Sequence, residues 1–276
     1  MPANTAPIGI FDSGVGGLTV AHAIAQHLPN ESLLYFGDTA HMPYGEKSRE
    51  AIVRYSLRIT DFLLAHACKI VVIACNTASA AAYNAVQTHI AGRVPLIDVI
   101  NPVVEAVCQS DIKRVGLIAT SRTVKSGMYA EKLHQMQPGL ELFSKATHSL
   151  ASVIEEGLHN NDKLMDALIE HYFSDIAFQH IEGLILGCTH YPLIKPAISR
   201  YFQQRTPSAV PIIFDSTDNV ARCVQQRLAD QYLLNPNKQR VQHRFCASDY
   251  TKSFEQTAAY FFGKPIHLEQ CDIWGK

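Results

Sequence analysis

Apolar runs and helical periodicities alternate along the chain. The runs are short, contain β-branched residues and are typical of strands that are buried on both faces. Between them, apolar residues recur at every third or fourth position, as on one face of a helix. In the first third of the sequence the predicted strands are residues 7–12, 32–38, 69–74 and 95–98. This alternation predicts a mostly parallel sheet with right-handed crossovers.

The same alternation continues from residue 99, with predicted strands at residues 114–119 and 183–187. We therefore predict an α/β fold with two similar domains, each a mostly parallel sheet flanked by helices. The first domain is predicted to contain residues 1–98 and 212–276, and the second residues 99–211. Residues 211–215 and 239–247 are predicted as strands of the returning segment.

Two of the predicted strands end at a cysteine. Residues 69–79 read Lys-Ile-Val-Val-Ile-Ala-Cys-Asn-Thr-Ala-Ser, so Cys75 follows a strand and precedes a polar helix start. Residues 183–190 read Gly-Leu-Ile-Leu-Gly-Cys-Thr-His and give Cys188 the same position. Ligands of open α/β sheets bind beyond the carboxyl ends of the strands. The two cysteines thus predict one site that is built from two halves.

Composition narrows the class of partner. The 276 residues are 47% hydrophobic, carry a formal net charge of −1 and have a sequence pI near 6.9. Such a balance predicts neither a nucleic-acid nor a membrane partner, so a small molecule is expected. The first residues lack the features of a signal peptide, and seven cysteines without a C-x-x-C pair fit no disulfide framework. We therefore expect a cytoplasmic protein.

The cysteine pair permits three chemical interpretations. Cys75 and Cys188 could be two acid/base groups on either side of a substrate, or one could be a nucleophile with a partner. A metal site with His190 is the third, although a zinc site needs about four ligands in fixed geometry. A competing interpretation is that both cysteines are buried and structural. Their position at strand ends, before polar helix starts, favours chemistry.

A thiol at a helix start faces backbone N–H groups, so its pKa is expected to fall below the free value of about 8.5. Asp12, at the end of the first strand, could orient or deprotonate such a thiol, and His190 could do the same for Cys188. The alternatives are that Asp12 only caps a helix and that His190 is a core histidine. Both remain open from sequence.

The glycine turn at residues 14–17 resembles a dinucleotide-binding fingerprint only weakly. Its third glycine directly follows the second, and Asp12 would place a negative charge beside a pyrophosphate. Asp38 is the corresponding candidate for a ribose-binding acid. Neutral donors suited to a small carboxylate are instead predicted at the strand ends. These donors are Ser13, Asn76, Thr77, Thr189 and the backbone of Tyr44 and Gly45.

Four segments together resemble the glutamate racemases of the aspartate/glutamate racemase superfamily. They are Phe-Asp-Ser-Gly-Val-Gly-Gly-Leu at 11–18, Tyr-Phe-Gly-Asp at 35–38 with Pro-Tyr-Gly-Glu-Lys-Ser at 43–48, Ala-Cys-Asn-Thr-Ala-Ser at 74–79, and Leu-Gly-Cys-Thr-His-Tyr-Pro at 186–192. The resemblance spans about residues 9–262. It implies two domains with the active site in the cleft between them, no cofactor and no metal. It also implies a homodimer and a role in supplying D-glutamate for peptidoglycan.

The resemblance also implies roles for individual residues. Cys75 would take the α-proton from D-glutamate and Cys188 from L-glutamate, with Asp12 and His190 assisting the neighbouring thiols. Glu155 matches a catalytic glutamate near the second cysteine. The preceding residues 146–152 depart from the Cys-Pro-rich stretch usual there, so His148 is expected to occupy new space. The implied substrate-binding residues are Asp12, Ser13, Tyr44, Gly45, Asn76, Thr77, Thr189 and His190.

Two rival functions remain from sequence. Aspartate or another amino acid could be the substrate of the same chemistry. A regulatory protein that binds a nucleotide at the glycine turn, without catalysis, is the rival from another class.

Overall fold

A computed structural model describes residues 3–237 and 241–275 of the chain. Residues 1 and 2 lie outside the described residues. They belong to the amino-terminal stretch in which the sequence predicts no signal peptide. Gln239, where one predicted strand begins, also lies outside the described residues. Across the described ranges, no helix combines the length and the apolar character that crossing a bilayer requires.

The ten strands of the described chain form two separate sheets, in which every pairing is parallel. They are β1 (Ile8–Asp12), β2 (Leu33–Gly37), β3 (Ile70–Ile73), β4 (Leu96–Asp98), β5 (Arg114–Ala119), β6 (Glu141–Ala146), β7 (Gly183–Gly187), β8 (Ile212–Phe214), β9 (Arg244–Ala247) and β10 (Leu268–Gln270). The first sheet has the order β10-β9-β2-β1-β3-β4 and the second β6-β5-β7-β8. The predicted α/β class is confirmed.

Eleven α-helices flank the sheets in the described chain. They are α1 (Leu18–His27), α2 (Arg49–Ala65), α3 (Asn76–Ile90), α4 (Asn101–Cys108), α5 (Ser121–Ser126), α6 (Met128–Met136), α7 (Leu150–Glu155), α8 (Asp162–Phe173), α9 (Lys195–Arg205), α10 (Ser216–Asp230) and α11 (Lys252–Phe262). Helix α2 shows why a helix begins where it does, since Ser48 at its N-cap accepts a hydrogen bond from Ala51 N.

The two sheets repeat one topology. In the first, β1 lies between β2 and β3, with β4 outside β3; in the second, β5 lies between β6 and β7, with β8 outside β7. Successive strands are therefore added first on one side of β1 or β5 and then on the other. At such a reversal of strand order a crevice opens beyond the carboxyl ends of the strands. Cys75 follows β3 and Cys188 follows the equivalent strand β7. The two thiols thus have equivalent positions in the two halves.

The predicted domain boundary at residue 212 assigns strand β8 to the wrong sheet. The sequence assigned residues 212–276 to the first domain, but β8 pairs with β7, with Ile212 opposite Gly183 and Phe214 opposite Ile185. The chain returns to the first sheet only after β8, through α10. A three-residue strand at a sheet edge carries no sequence signal for which sheet it joins, because either edge could accept its hydrogen bonds.

Candidate active site

A cavity of about 150 Å³ lies where the carboxyl ends of strands from both sheets meet. All eleven predicted site residues line it: Asp12, Ser13, Tyr44, Gly45, Cys75, Asn76, Thr77, Glu155, Cys188, Thr189 and His190. A larger hollow of about 1090 Å³ lies around Lys69, at the amino ends of the strands, and contains none of them. The smaller cavity is the candidate site because the acid/base groups converge there, and its size suits an amino acid rather than a dinucleotide.

Cys75 is the N-cap of helix α3. Its Sγ accepts a hydrogen bond from Ala78 N at 3.4 Å and lies 3.7 Å from Ser13 Oγ. The pKa of this thiol is raised far above its ordinary value, first by burial and then by the negative charge of Asp12, although the Ala78 N–H opposes the shift. The expectation of a lowered pKa is therefore wrong for Cys75. Burial and a neighbouring carboxylate outweigh the helix start, so the thiol is neutral at rest.

Asp12 is the last residue of β1 and is almost completely buried, with 1% of its surface exposed. Its Oδ2 accepts hydrogen bonds from Gly17 N at 2.8 Å and from Gly14 N at 3.3 Å. Burial raises the pKa of this carboxyl above its ordinary value, while His190 and the Gly17 N–H oppose the rise. Asp12 is thus a carboxyl of increased basicity whose pKa is influenced by Cys75.

Cys188, His190 and Glu155 form a chain of contacts in the second half of the site. Cys188 Sγ lies 3.4 Å from His190 Nδ1, and His190 Nε2 lies 2.7 Å from Glu155 Oε1. Burial lowers the pKa of His190, but the charges and hydrogen bonds of Cys188 and Glu155 outweigh it, so the pKa is raised well above its ordinary value. Glu155 therefore contacts His190 directly and helps to raise the pKa of its imidazole.

We expect Glu155→Gln to lower the pKa of His190, because the variant removes a negative charge from Nε2. A raised folded-state pKa stabilises the fold fully below the unfolded value, about 6.5, and this stabilisation is lost as pH rises through the folded-state pKa. In the variant this stabilisation should be smaller at low pH, and its loss should be complete at a lower pH than in the wild type. Urea unfolding across a pH series measures it, with the neighbouring exposed Glu156→Gln as control. Identical pH dependence in wild type and Glu155→Gln would contradict the assignment.

Asn76 lines the cavity, and its side-chain amide has an unmet donor. Tyr129 OH donates to Asn76 Oδ1 at 2.7 Å, which fixes the orientation of the amide. Asn76 Nδ2 is buried and has no partner among the residues that the structure describes. A buried donor without a partner is costly, so this group is available for an acceptor such as a substrate carboxylate.

The hydroxyl of Tyr44 is already engaged. It donates to Asp38 Oδ2 at 2.7 Å, and Asp38 also accepts from Ser248 Oγ at 2.8 Å and contacts His41 Nδ1 at 2.9 Å. Tyr44 thus presents its ring and backbone to the cavity, next to Gly45. Asp38 holds this loop in place, which does not fit a ribose-binding acid.

The glycine turn is occupied from within the chain. Its backbone N–H groups at Gly14 and Gly17 donate to Asp12, and the Gly14 carbonyl accepts from Tyr35 OH at 2.8 Å. Two of the N–H groups that a pyrophosphate would use are thus taken by a carboxylate. The geometry does not fit the nucleotide-binding interpretation of this turn.

Gly16 allows the two halves to approach each other. A β-carbon there would overlap the imidazole of His190 and the hydroxyl of Thr189. We expect Gly16→Ala to reduce the rate of the reaction catalysed at this site by roughly 10- to 100-fold. The added methyl group would displace His190, and a displacement of about 1 Å at a catalytic group has an effect of that order. Gly14→Ala is the control, since its β-carbon would meet only Met42, at 3.4 Å. Steady-state kinetics of both variants tests this, and equal activities would contradict it.

Sequence reasoning missed several residues that line the cavity. Thr120 follows β5, the strand equivalent to β1, and lies 3.0 Å from Thr77 Oγ1 across the two halves. The strand-end rule that found Cys75 would also have found Thr120. His148 lines the cavity and contacts Ser121 Oγ at 2.8 Å. The others are Met42, Pro43, Glu46, Ser121, Thr147, Ala151 and Ser152.

Fold and site together define a class of protein. Two equivalent α/β halves each place a buried thiol, with an acid/base partner, at one small cavity. Such a site can remove a proton from one face of a carbon atom and deliver one to the other, which is the chemistry of isomerases that invert a stereocentre.

Comparisons with known proteins agree with this class. The sequence model of the Asp/Glu/Hydantoin racemase family matches residues 17–224, and the chain belongs to this family. It is 38% identical to the glutamate racemase of Syntrophus aciditrophicus (strain SB) over 94% of each chain. Among solved structures, the chain is similar to the glutamate racemase of Francisella tularensis in complex with D-glutamate. The TM-score is 0.90 and the identity 35%, over 99% of this chain and 100% of that one.

A second solved structure has nearly the same similarity. It is a glutamate racemase isoform from Bacillus anthracis, with a TM-score of 0.89 and 33% identity over 98% of each chain. The predicted two-domain α/β architecture is therefore confirmed by two structures that match the chain over almost its whole length.

Proposed function

We propose that this protein interconverts L-glutamate and D-glutamate without a cofactor, using Cys75 and Cys188 as two bases on opposite faces of the substrate. The observation that carries the proposal is the pair of buried thiols at equivalent strand ends of the two halves, both lining one cavity of about 150 Å³. Inverting a stereocentre requires one group to remove the α-proton and another to deliver a proton from the opposite side.

In the D-to-L direction, Cys75 acts first. Because its pKa is raised, it is a thiol at rest, and it becomes a base when Asp12 accepts the Sγ proton. The thiolate then removes the α-proton of D-glutamate, and the Cys188 thiol delivers its proton to the other face. Cys188 is left as a thiolate beside the imidazolium of His190, whose raised pKa favours that charge pair.

In the L-to-D direction the order is reversed. The Cys188 thiolate, stabilised by protonated His190, removes the α-proton, and Cys75 returns a proton from the opposite face. Glu155 holds Nε2 of His190 and thereby keeps Nδ1 directed at Cys188. Glu155 is on this account a positioning residue.

The negative charge that develops at the α-carbon needs donors that are already in place. The unpartnered Nδ2 of Asn76 supplies one for the α-carboxylate, and the hydroxyls of Thr77, Thr120 and Thr189 supply others around the cavity. We place Ser13 and the Tyr44–Gly45 backbone at the remaining part of the substrate. Asp12 and His190 contact substrate as well as the thiols.

We further propose a cytoplasmic homodimer that supplies D-glutamate for peptidoglycan. All seven cysteines are free thiols, which fits a reducing compartment. Light scattering of the purified protein tests the oligomeric state.

Circular dichroism tests the function, with L-glutamate, D-glutamate, L-aspartate and D-aspartate offered separately, a metal chelator present and no cofactor added. Decay of the signal from both glutamate enantiomers, with neither aspartate affected, is the expected result. Decay with aspartate alone would assign the other substrate of the same chemistry. No decay with any of the four would overturn the proposal.

A further inference from the structure

Two thiols outside the cavity contact each other at the edge of the first sheet. Cys246 lies in β9 and is fully buried, whereas Cys271 directly follows β10 and is half-buried. Their Sγ atoms are 2.7 Å apart. Neither residue lines the candidate active site, so the proposed reaction does not use them.

Backbone pairing sets this contact. Cys246 lies opposite Glu269 in the parallel register of β9 and β10, so Cys271, two residues further, is on the same face of the sheet. The backbone N–H of Cys271 also donates to the Ala247 carbonyl at 2.9 Å. The main chain thus holds both thiols in place, and the sulfur contact does not depend on a flexible side chain at an exposed position.

A metal site and a disulfide are the two uses of such a pair. Ligand atoms of Cys246, Glu269 and Cys271 lie within 4.8 Å of one another. Both carboxylate oxygens of Glu269, however, already lie near Arg244, at 2.8 Å from Nη2 and 3.5 Å from Nε. Structural zinc sites use about four ligands, so two thiols and an occupied carboxylate are a poor zinc site. The geometry favours a disulfide.

We propose that Cys246 and Cys271 are a redox-responsive pair that forms a disulfide when the protein meets hydrogen peroxide. The sulfur of the accessible Cys271 attacks one oxygen of the peroxide, and the O–O bond breaks. Cys271 becomes a sulfenic acid, and the other oxygen leaves as water with the proton of the thiol. The sulfur of Cys246 then attacks the Cys271 sulfur and forms the S–S bond. The second oxygen of the peroxide leaves as a second water molecule, so two thiols and one peroxide give one disulfide and two waters.

The bond would tie the last described residues to the sheet. Trp274 packs against His41, with ring centroids 4.5 Å apart, and against Tyr55 at 5.4 Å. Arg58 Nε donates to the Ile273 carbonyl at 2.8 Å. The segment 271–275 therefore packs against His41, in the loop that leads from Asp38 to Tyr44, and against helix α2. A disulfide between Cys246 and Cys271 would hold the start of this segment against the sheet in the folded protein. It would also reduce the conformational freedom of the unfolded chain.

Peptide mapping by mass spectrometry tests the pair. Purified wild-type protein is treated with hydrogen peroxide, alkylated without reduction and digested. We expect a linked peptide that contains Cys246 and Cys271, lighter by two hydrogen atoms than the two peptides together and split by dithiothreitol. The linked peptide should be absent from Cys271→Ser and Cys246→Ser and present in the control Cys108→Ser. Its formation should raise the melting temperature of the wild type by several degrees.

Either of two results would overturn the proposal. One is oxidation of Cys271 to a sulfinic acid with no linked peptide, which would show that Cys246 does not reach it. The other is stoichiometric zinc binding by the untreated protein that both serine variants lose, which would assign the thiols to a metal. This test reads a covalent bond and does not depend on the proposed racemase activity.

Discussion

Replacing either Cys75 or Cys188 by alanine should reduce racemisation of glutamate by about 10³-fold or more. Positioned acid/base groups contribute about 10²- to 10⁴-fold to a rate, and each variant removes one of the two thiols among the described residues that line the cavity. Both cysteines are buried and small, so their alanine variants should still fold. Circular dichroism with each enantiomer measures the rates, and Cys108→Ala, a thiol outside the cavity, is the matched control.

The two variants should also differ from each other. In Cys188→Ala, Cys75 can still remove and return the α-proton of D-glutamate, so exchange with deuterated water should persist for D-glutamate and be lost for L-glutamate. Cys75→Ala should show the opposite preference. Proton NMR of the α-hydrogen in deuterated water follows both. Racemisation in both directions by either variant would disprove the two-base mechanism, and exchange of the wrong enantiomer would reverse the assignment of the faces.

The fold was predictable where the local pattern is complete. Strands β5 and β7 have the predicted bounds, because continuous apolar runs report burial directly. Strand β6 was missed, since its residues are partly exposed at a sheet edge and show no clean alternation. Strand β8 belongs to the second sheet because it pairs with β7. The paired residues Gly183 and Ile212 are 29 residues apart in the chain, so no local pattern encodes this pairing.

The site was predictable from one topological rule. Strand ends collect functional residues, and this rule alone selected Cys75 and Cys188, which the structure brings to one cavity. Their chemical roles remain predictions. What the sequence did not give is the environment of each group. The contact of His190 with Glu155 spans 35 residues, and the raised pKa of Cys75 depends on burial that only the packed structure determines.

Burial links these observations. Two thiols, a carboxylate and an imidazole are buried around the cavity, and burial makes the charged state of each depend on its partner. The pKa of Cys75 is raised by burial and then by the charge of Asp12, and that of His190 is raised by Cys188 and Glu155 against the effect of burial. Proton positions are thus coupled within each half. A site that moves protons over short distances needs this coupling, although it costs stability.

Asp12→Asn should separate catalysis from stability. We expect racemisation to fall by roughly 10²- to 10³-fold, because the amide cannot accept the proton of Cys75. The free energy of unfolding at neutral pH should stay unchanged or rise. The pKa of Asp12 is raised by burial, so its stabilising effect is present below the unfolded value of about 3.9 and is lost as pH rises through the folded-state pKa. The amide oxygen can still accept from Gly17 N.

Asp98→Asn is the matched control for this variant. Asp98 ends β4, is buried, and has a pKa that burial raises in the same way, but it holds the backbone of Ile100 and Asn101 outside the cavity. Its variant should keep racemase activity. Urea unfolding at several pH values and circular dichroism kinetics, measured on both variants, decide the role of Asp12. A destabilised Asp12→Asn protein with near-normal activity would show that Asp12 only caps the glycine turn.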